Sequence, residues 1–145
     1  MTGILMVCEG NICRSPVARA FLEHALPSVL VSSAGTRALV GRHADPLAIQ
    51  LAQERGMNIS QHIARALSEE HVRAADVVLT MTASQRDQIL GHFPSARGKV
   101  FRLGEHEQLD IVDPYQRHRV VFELAFAQIE HCIAQWRDDI ARLAH

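Results

Sequence analysis

A short apolar run, followed at once by a loop of polar and small residues, constrains the fold of this chain more than any other feature. Residues 3–7, Gly-Ile-Leu-Met-Val, predict a strand buried on both faces of a parallel sheet. Residues 8–16 then read Cys-Glu-Gly-Asn-Ile-Cys-Arg-Ser-Pro. Ser15 can cap a following helix, and Pro16 suits the first helical position. The loop therefore joins the C-terminal end of a strand to a helix N-terminus, where backbone N–H groups and the helix dipole favour a bound anion.

Strand and helix patterns alternate along the 145 residues. The predicted strands are 3–8, 28–34, 76–81 and 99–102, and the predicted helices are 15–26, 46–56, 68–74, 83–91 and 117–143. This order predicts an α/β fold with three layers, α/β/α, around a four-stranded and mostly parallel sheet, with the anion-binding loop after the first strand. No repeat or Pro/Gly-rich linker interrupts the chain, so we expect a single domain over residues 1–145.

The last predicted helix carries an apolar stripe with spacings of three and four, typical of a helix packed on a sheet. Its members are Phe122, Phe126, Ile129, Ile133, Trp136, Ile140 and Leu143. Cys132 borders the stripe, and we expect it in the core. Asp45 and Pro46 are expected to cap and open the helix that ends near Gly56.

Composition limits the classes of function that are open to the chain. An apolar fraction of 48% suffices for a packed core, and a net charge of −1 gives no electrostatic case for binding nucleic acid or an anionic membrane surface. No apolar stretch reaches the roughly 18 residues of a membrane span, and no basic segment precedes the first strand. Three cysteines suit a reducing compartment, so we expect a cytoplasmic protein. The nine histidines lack the spacing of zinc ligands, and we predict no metal and no cofactor.

Within the loop, five residues separate Cys8 from Arg14. The chain can curl so that its amides surround a phosphate above the Cys8 sulfur, while the planar fork of Arg14 holds two of the oxygens. The same positive field favours the thiolate, which can attack phosphorus. We expect Gly10 to adopt a backbone angle that a Cβ would obstruct, and the Asn11 amide to brace the loop. A purely structural cysteine is the alternative interpretation of Cys8.

The complete string at residues 8–16 resembles the signature of the low-molecular-weight protein tyrosine phosphatases, Cys-x-Gly-Asn-x-Cys-Arg-Ser-Pro. Segments 33–36, 62–65 and 113–115 extend the resemblance over essentially the whole chain. It implies a two-step hydrolysis of phosphotyrosine through a cysteinyl-phosphate. By this resemblance Cys8 is the nucleophile, Arg14 binds the phosphate and steadies the transition state, and Asp113 is the general acid. The substrate would also contact the loop at Glu9, Gly10, Asn11, Ile12 and Cys13.

Chemistry supports Asp113 independently, because a phenolate leaving group needs a proton that nothing in the phosphate-binding loop can supply. Pro114 restricts the residue before it, so the carboxyl group is held on a stiff segment. A bound dianion should keep this carboxyl protonated until it acts, and the carboxylate can later take a proton from attacking water. An ordinary Asp-Pro turn is the alternative, and Asp110 is a candidate substitute acid.

Other polar residues are implied to support the loop. By resemblance, a hydrogen-bond network is formed by Asn11, Ser15, Ser33 and His62, although a plain surface histidine is the alternative for His62. Two interpretations of Cys13 stay open. It either fills space behind the loop or traps an oxidised Cys8 as a reducible disulfide.

Tyr115 and the segment 37–41 are expected to form opposite walls of the substrate cleft. Many animal family members carry a tryptophan in this segment, where this chain has aliphatic residues such as Leu39. The chain resembles instead the bacterial members that oppose tyrosine autokinases of capsule and exopolysaccharide synthesis. The implied partners are a phosphotyrosine protein, such as a kinase of this type, and phosphate or vanadate as competing ligands. Glu9, if it faces the mouth, should disfavour acidic sequence beside the phosphotyrosine.

Two other functions stay open. Arsenate reductases share this fold and a Cys-x5-Arg loop, but their chemistry needs a downstream pair of cysteines, and this chain has only Cys132 there. A binding module could hold phosphotyrosine without hydrolysing it, although such a module would need neither Cys8 nor Asp113. Turnover of p-nitrophenyl phosphate, with and without vanadate, distinguishes the three.

Overall fold

Four parallel strands form the central sheet in the computed structural model, which describes residues 2–144. The strands are β1 (Gly3–Cys8), β2 (Leu30–Gly35), β3 (Val77–Thr80) and β4 (Val100–Arg102). The helices are α1 (Arg14–Ala25), α2 (Pro46–Glu54), α3 (Glu69–Ala74), α4 (Ala83–His92) and α5 (Arg119–Leu143). These bounds lie within two residues of the predicted ones. Short 3₁₀ turns at Pro94–Ala96 and Glu105–Glu107 lie where the sequence predicts no helix.

The strand order of the sheet is β2-β1-β3-β4, and each neighbouring pair is parallel. The predicted α/β fold is confirmed, and the sheet is parallel throughout. The chain winds from β1 to β2 on one side and then returns to place β3 on the other side of β1. Open α/β sheets bind ligands at such a switch point, beyond the carboxyl ends of the strands. Cys8 is the last residue of β1 and lies at this edge.

Helices cover both faces of the sheet, because the side chains of β1 alternate between two apolar layers. Ile4 and Met6 pack in the layer that contains the buried residues of α1 and α5. Leu5 and Val7 pack in the layer that contains those of α3 and α4. All four side chains are essentially inaccessible. The strand that carries Cys8 is therefore held from both sides, which fixes the position of the sulfur.

The α5 stripe is buried along most of its length, as predicted. Leu143 is the exception, because it is 54% exposed. A helix of 25 residues spans about 37 Å, whereas a strand of six residues spans about 20 Å, so the end of α5 extends past the sheet. Cys132 is in the core, where burial raises its pKa to about 11. Neither α5 nor another helix within residues 2–144 has the length and apolar character needed to cross a membrane.

Of the two helix caps predicted from the sequence, the one at the start of α2 is present and the one at the start of α1 is not. Asp45 caps α2 as predicted, since its side chain accepts a hydrogen bond from the Leu47 N–H and Pro46 opens the helix. The predicted cap at Ser15 is wrong. Helix α1 begins at Arg14, and Ser15 lies inside its first turn with its hydroxyl group committed elsewhere. The polar groups of the preceding loop compete successfully for this hydroxyl.

Candidate active site

The Cys8 sulfur lies buried at the base of the loop that follows β1. Its Sγ accepts a hydrogen bond from the backbone N–H of Asn11 at 3.2 Å, and the Ser15 hydroxyl lies 2.9 Å away. The Ser15 Oγ already accepts a hydrogen bond from the Asn11 side-chain amide at 2.8 Å, so the hydroxyl proton is free to point at the sulfur. Two donors can therefore be directed at this one sulfur.

Asn11 braces the loop from within. It is fully buried and has a φ of 59°, in the left-handed region that asparagine tolerates better than most residues. Its Nδ2 donates to Ser33 Oγ at 3.1 Å as well as to Ser15, and its Oδ1 accepts from the Arg65 N–H at 2.9 Å. Both ends of this one amide group are therefore engaged, which fixes the curvature of the loop.

His62 and Arg65 hold this network from the outside. His62 Nε2 lies 2.6 Å from the carbonyl oxygen of Asn11, and Arg65 Nε donates to the carbonyl of Ser33 at 2.8 Å. Because a carbonyl oxygen can only accept, the Nε2 of His62 carries the proton. Burial lowers the pKa of His62, the bond to Asn11 partly opposes this, and nearby Arg19 and Arg65 lower the pKa further.

The glycine that the loop requires is not the expected one. A Cβ on Gly10 would meet nothing closer than 3.8 Å, and Gly10 lacks a positive φ, so the predicted backbone role of Gly10 is wrong. Gly35 is the tight position. A Cβ there would lie 2.5 Å from the Glu9 carbonyl oxygen and 3.0 Å from the Asn11 Cβ. The end of β2 thus approaches the loop so closely that only glycine fits.

Arg14 connects the loop to the segment that carries Asp113. Its Nη1 donates to the carbonyl of Ile111 at 3.0 Å, and its Nη2 lies 3.6 Å from the Asp113 carboxylate. The Arg14 side chain is 5% exposed and that of Asp113 is 49% exposed. The guanidinium is therefore held in place with N–H groups left for an anion, and the Asp113 carboxyl stands at the solvent side.

Two backbone contacts hold the segment 109–115, which we name the acid loop. The Ile111 N–H donates to the Met81 carbonyl at 2.9 Å. The Val112 N–H donates to Gln128 Oε1 on α5, also at 2.9 Å. Val112, the residue next to Asp113, is thus hydrogen-bonded to α5, which packs on the opposite face of the sheet from α4.

Asp110 is engaged in a different way from Asp113. Its Oδ1 accepts hydrogen bonds from the Ala83 N–H and from Arg102 Nη1, both at 3.0 Å. Burial alone would raise the pKa of Asp110, but these two hydrogen bonds and the charges of Arg102 and Arg86 lower it. An ionised carboxylate with two donors is poorly suited to be the substitute acid.

One cavity opens above the loop, and it brings together most of the residues that the sequence singles out. It is lined by Cys8, Glu9, Gly10, Ile12, Cys13, Arg14, Leu39, Asp113 and Tyr115, together with Arg37. Leu39 and Tyr115 provide apolar surface to it. The Leu39 N–H donates to the Gly10 carbonyl at 3.0 Å, so this part of the wall is anchored to the loop itself. Asn11, Ser15, Ser33 and His62 are joined by the hydrogen bonds that support the loop.

Cys13 lines the cavity but is largely buried. Burial raises the pKa of its thiol, and the negative charges of Asp45, Cys8 and Asp113 raise it further. Cys13 is therefore a neutral thiol at physiological pH. It forms no disulfide, and neither does Cys8 or Cys132.

Besides Gly35, sequence reasoning missed the roles of Arg65 and Gln128. Arg65 was available as the last residue of the segment 62–65, but its two hydrogen bonds to the network depend on how that segment folds against β2. Gln128 carries no sequence signal, because a lone glutamine on a long helix is usually solvated. Its contact to Val112 becomes visible only in three dimensions.

A buried thiol that accepts two hydrogen bonds beside a helix N-terminus, with a guanidinium and a carboxyl group at the opening above it, is the arrangement of a cysteine-dependent phosphatase. Among residues 2–144 there is no cluster of three or more His, Cys, Asp or Glu side chains placed to hold a metal ion.

Comparison with known proteins gives the same class. The model of the low molecular weight phosphotyrosine protein phosphatase family matches residues 3–144, and the chain belongs to this family. It is thus a protein-tyrosine phosphatase. The probable low molecular weight protein-tyrosine-phosphatase EpsP of Ralstonia solanacearum is 48% identical over 133 residues, which is 92% of each chain.

Two solved structures extend the comparison. Wzb of Vibrio vulnificus in complex with benzylphosphonate superposes with a TM-score of 0.92 at 33% identity, covering 95% of this chain and 98% of its own. The YwlE arginine phosphatase of Geobacillus stearothermophilus has a TM-score of 0.91 at 36% identity, covering 98% of this chain and 94% of its own. The fold alone therefore does not distinguish a phosphatase that acts on phosphotyrosine from one that acts on phosphoarginine.

Proposed function

We propose that this enzyme hydrolyses protein phosphotyrosine in two steps through a cysteinyl-phosphate, with Cys8 as nucleophile, Arg14 as the phosphate-binding residue and Asp113 as general acid and base. The observation that supports this most is the placement of groups around the cavity. The Cys8 sulfur at its base is the target of two donors, and the Asp113 carboxyl at its opening lies 3.6 Å from Arg14. A phosphate between them can be attacked from below and lose its leaving group above.

In the first step, a lone pair of the Cys8 thiolate forms an S–P bond while the bond between phosphorus and the tyrosine oxygen breaks. The electrons of the broken bond pass to the phenol oxygen, which takes a proton from Asp113. Negative charge spreads over the equatorial oxygens of phosphorus. The N–H groups of Arg14 that Ile111 does not use stabilise that charge.

In the second step, the Asp113 carboxylate takes a proton from water as the water oxygen attacks phosphorus. The S–P bond breaks, its electrons return to Cys8, and phosphate leaves. The Ser15 hydroxyl and the Asn11 N–H stabilise the thiolate that is released. These donors thus lower the energy of both the attacking and the leaving sulfur.

The lining of the cavity supports phosphotyrosine over phosphoarginine. Ile12, Leu39 and Tyr115 present apolar surface that suits the faces of a phenol ring. A guanidinium leaving group needs several hydrogen-bond acceptors, and on these walls the carboxylates are Glu9 and Asp113, of which Asp113 must act as the acid. We therefore expect a higher kcat/KM for phosphotyrosine than for phosphoarginine.

The physiological substrate that we propose is a tyrosine autokinase of bacterial polysaccharide export. The similarity to EpsP and to Wzb supports this substrate. A thiol nucleophile must stay reduced to act, and the three cysteines are free thiols. We accordingly place the enzyme and its substrate site in the cytoplasm.

The test of the mechanism compares wild type with Cys8→Ser, and uses Cys132→Ser as the matched control. Wild type should release phosphate from a phosphotyrosine peptide and from p-nitrophenyl phosphate, and vanadate should inhibit both reactions. Cys8→Ser should lose turnover but still bind phosphate, because an alcohol is not ionised at neutral pH. Cys132→Ser should keep the wild-type rate.

Three outcomes would contradict this proposal. Retention of more than about a hundredth of the rate by Cys8→Ser would exclude the covalent route. Thiol oxidation driven by arsenate, without ester hydrolysis, would indicate an arsenate reductase. Binding of the phosphopeptide by wild type without turnover would indicate a recognition module.

A further inference from the structure

A second cavity adjoins the one above the phosphate-binding loop. Its volume is about 450 Å³, and it shares Glu9, Arg14, Arg37 and Asp113 with the first. It runs toward the first turns of α4, where Thr82 and Gln88 line it. A third cavity continues from Arg37 and Gln88 to Phe93. Together the three form a groove that extends from the site of chemistry to the end of α4, and Arg37 lines all three.

Charge is distributed unevenly along this groove. Glu9 and Asp113 lie at its near end, beside the phosphate-binding loop. The far cavity is lined by Arg37, His92 and Phe93 among others, and no Asp or Glu of the described residues lines it. Apart from the phosphate that Arg14 and the loop amides hold, an anionic group of the substrate is therefore disfavoured beside Glu9 and Asp113 and favoured further along the groove.

Arg37 is placed to hold such an anion. Its backbone N–H donates to the Glu9 carbonyl at 2.9 Å, and the preceding Thr36 N–H donates to the Cys8 carbonyl at 3.0 Å. The base of this side chain is thus fixed to the nucleophile's own loop. Arg37 is an exposed residue, and no ion pair formed within residues 2–144 includes it.

We propose that the groove receives the chain of the substrate next to its phosphotyrosine, and that Arg37 binds an anionic side chain of that segment. The ligand is a carboxylate or a second phosphate a few residues from the phosphotyrosine, because Arg37 lines the cavity above Cys8 as well as the two cavities beyond it. This inference rests on the proposed hydrolysis of phosphotyrosine. It also refines the role of Glu9, whose repulsion acts only on the acidic residues nearest to the phosphotyrosine.

The test measures kcat/KM on sets of three phosphotyrosine peptides that differ at one position only. In one set that position lies two residues before the phosphotyrosine, and in the other set it lies two residues after it. That position holds glutamine, glutamate or a second phosphotyrosine. For wild type at low ionic strength, we expect both anionic peptides to exceed the glutamine peptide by about three- to tenfold, and added salt to reduce the ratio. The ratio should fall to about one in Arg37→Ala and drop below one in Arg37→Glu.

The ratio within each variant cancels any general change in activity. Arg137→Ala, which removes an exposed arginine on α5, is the matched control and should keep the wild-type ratio. A preference for the doubly phosphorylated peptide alone would support the subsite and identify its ligand as phosphate. Equal kcat/KM for all three peptides in wild type would overturn the subsite while leaving the proposed function intact. Failure to hydrolyse any of them would overturn the proposed function itself.

Discussion

A carboxyl group that must release a proton cannot also be committed to two hydrogen-bond donors, and this separates Asp113 from Asp110. Asp110 accepts from Ala83 and Arg102, whereas the Asp113 side chain accepts from the Tyr115 N–H and is half exposed beside the cavity. We expect Asp113→Ala to lower kcat on phenyl phosphate by roughly 10²–10⁴-fold. The loss on p-nitrophenyl phosphate should be smaller, because its phenolate needs little protonation.

The matched variant is Asp110→Asn, which keeps a side-chain oxygen that can accept from Ala83 and Arg102. It should affect both esters equally and weakly. Equal losses on the two esters in Asp113→Ala would show that another group is the acid. A loss in Asp110→Asn that depends on the leaving group would identify that group as Asp110.

Replacement of Cys13 tests whether this buried thiol protects the Cys8 sulfur from irreversible oxidation. The pKa of Cys13 is raised by burial and partly by the charge of Cys8. Oxidation of Cys8 to a neutral sulfenic acid removes that charge, which makes the Cys13 thiolate easier to form. After brief peroxide treatment, wild type should recover activity with dithiothreitol, whereas Cys13→Ser should pass irreversibly to higher oxidation states. Equal recovery would leave Cys13 with a packing role alone.

At the scale of single residues, prediction succeeds where a short motif determines the contact and fails where distant backbone does. The bond from the Asn11 amide to Ser15 lies within the motif of residues 8–16, whereas its bonds to Ser33 and Arg65 reach distant segments. Gly35 becomes indispensable only because β2 packs so close to the loop that a Cβ at this position would lie 2.5 Å from the Glu9 carbonyl oxygen. The Ser15 hydroxyl could serve a helix cap or the sulfur, and only the folded loop decides between them.

The acid loop is an element without regular structure, so its position depends on a few hydrogen bonds. Gln128 provides one of them through the Val112 N–H at 2.9 Å. Gln128→Leu removes the acceptor and leaves a partly buried N–H unpaired, which costs about 1–3 kcal/mol. We expect kcat on phenyl phosphate to fall by about three- to tenfold, with a smaller loss on p-nitrophenyl phosphate, because a displaced Asp113 impairs proton transfer first.

Gln128→Glu retains an acceptor oxygen and should restore most of the lost rate. Gln135→Leu, further along α5 and bonded to Glu107 away from the acid loop, is the matched control. If Gln128→Leu lowered the rates on both esters equally, or if Gln135→Leu did the same as Gln128→Leu, the effect would be one of general stability.

At the scale of elements, the regular segments were predictable because each carries its own apolar pattern. The continuous apolar run of β1 and the apolar stripe of α5 are visible in the sequence, and their predicted bounds differ from the observed ones by no more than two residues. The acid loop has no periodicity, and its fixation by Gln128 and Met81 joins residues 16 to 30 positions apart. Such contacts follow from the packing of elements, which single-sequence patterns do not contain.

At the scale of the whole molecule, the topology joins stability to the active site. Because β1 is central, the loop after it is enclosed by the end of β2, the segment 62–65 and the start of α1. The hydrogen bonds of Asn11 to Ser33 and Arg65 join the loop to two of these segments. The groups that shape the phosphate-binding loop therefore also contribute to global folding.

The contact of His62 with the phosphate-binding loop should make the free energy of unfolding depend on pH. Its ordinary pKa is 6.5, and burial lowers the pKa in the folded protein. The unfolded chain then binds a proton more readily than the folded one, so stability is complete above pH 6.5 and is lost as pH falls through and below that value. Carboxylates such as Asp110, whose pKa is lowered from 3.8, titrate well below this window.

We expect the free energy of unfolding, measured by urea titration, to decrease between about pH 7.5 and 5.5 more steeply in wild type than in His62→Gln. Glutamine can donate to the Asn11 carbonyl without titrating, so this variant retains the contact and loses its pH dependence. His24→Gln, on the exposed surface of α1, should keep the wild-type slope. His71 is also buried in part with a lowered pKa, which leaves some slope in both variants. A slope in His62→Gln equal to that of wild type would mean that the folded state accommodates the charged imidazole at no cost, and that the phosphate-binding loop is not linked to stability through this contact.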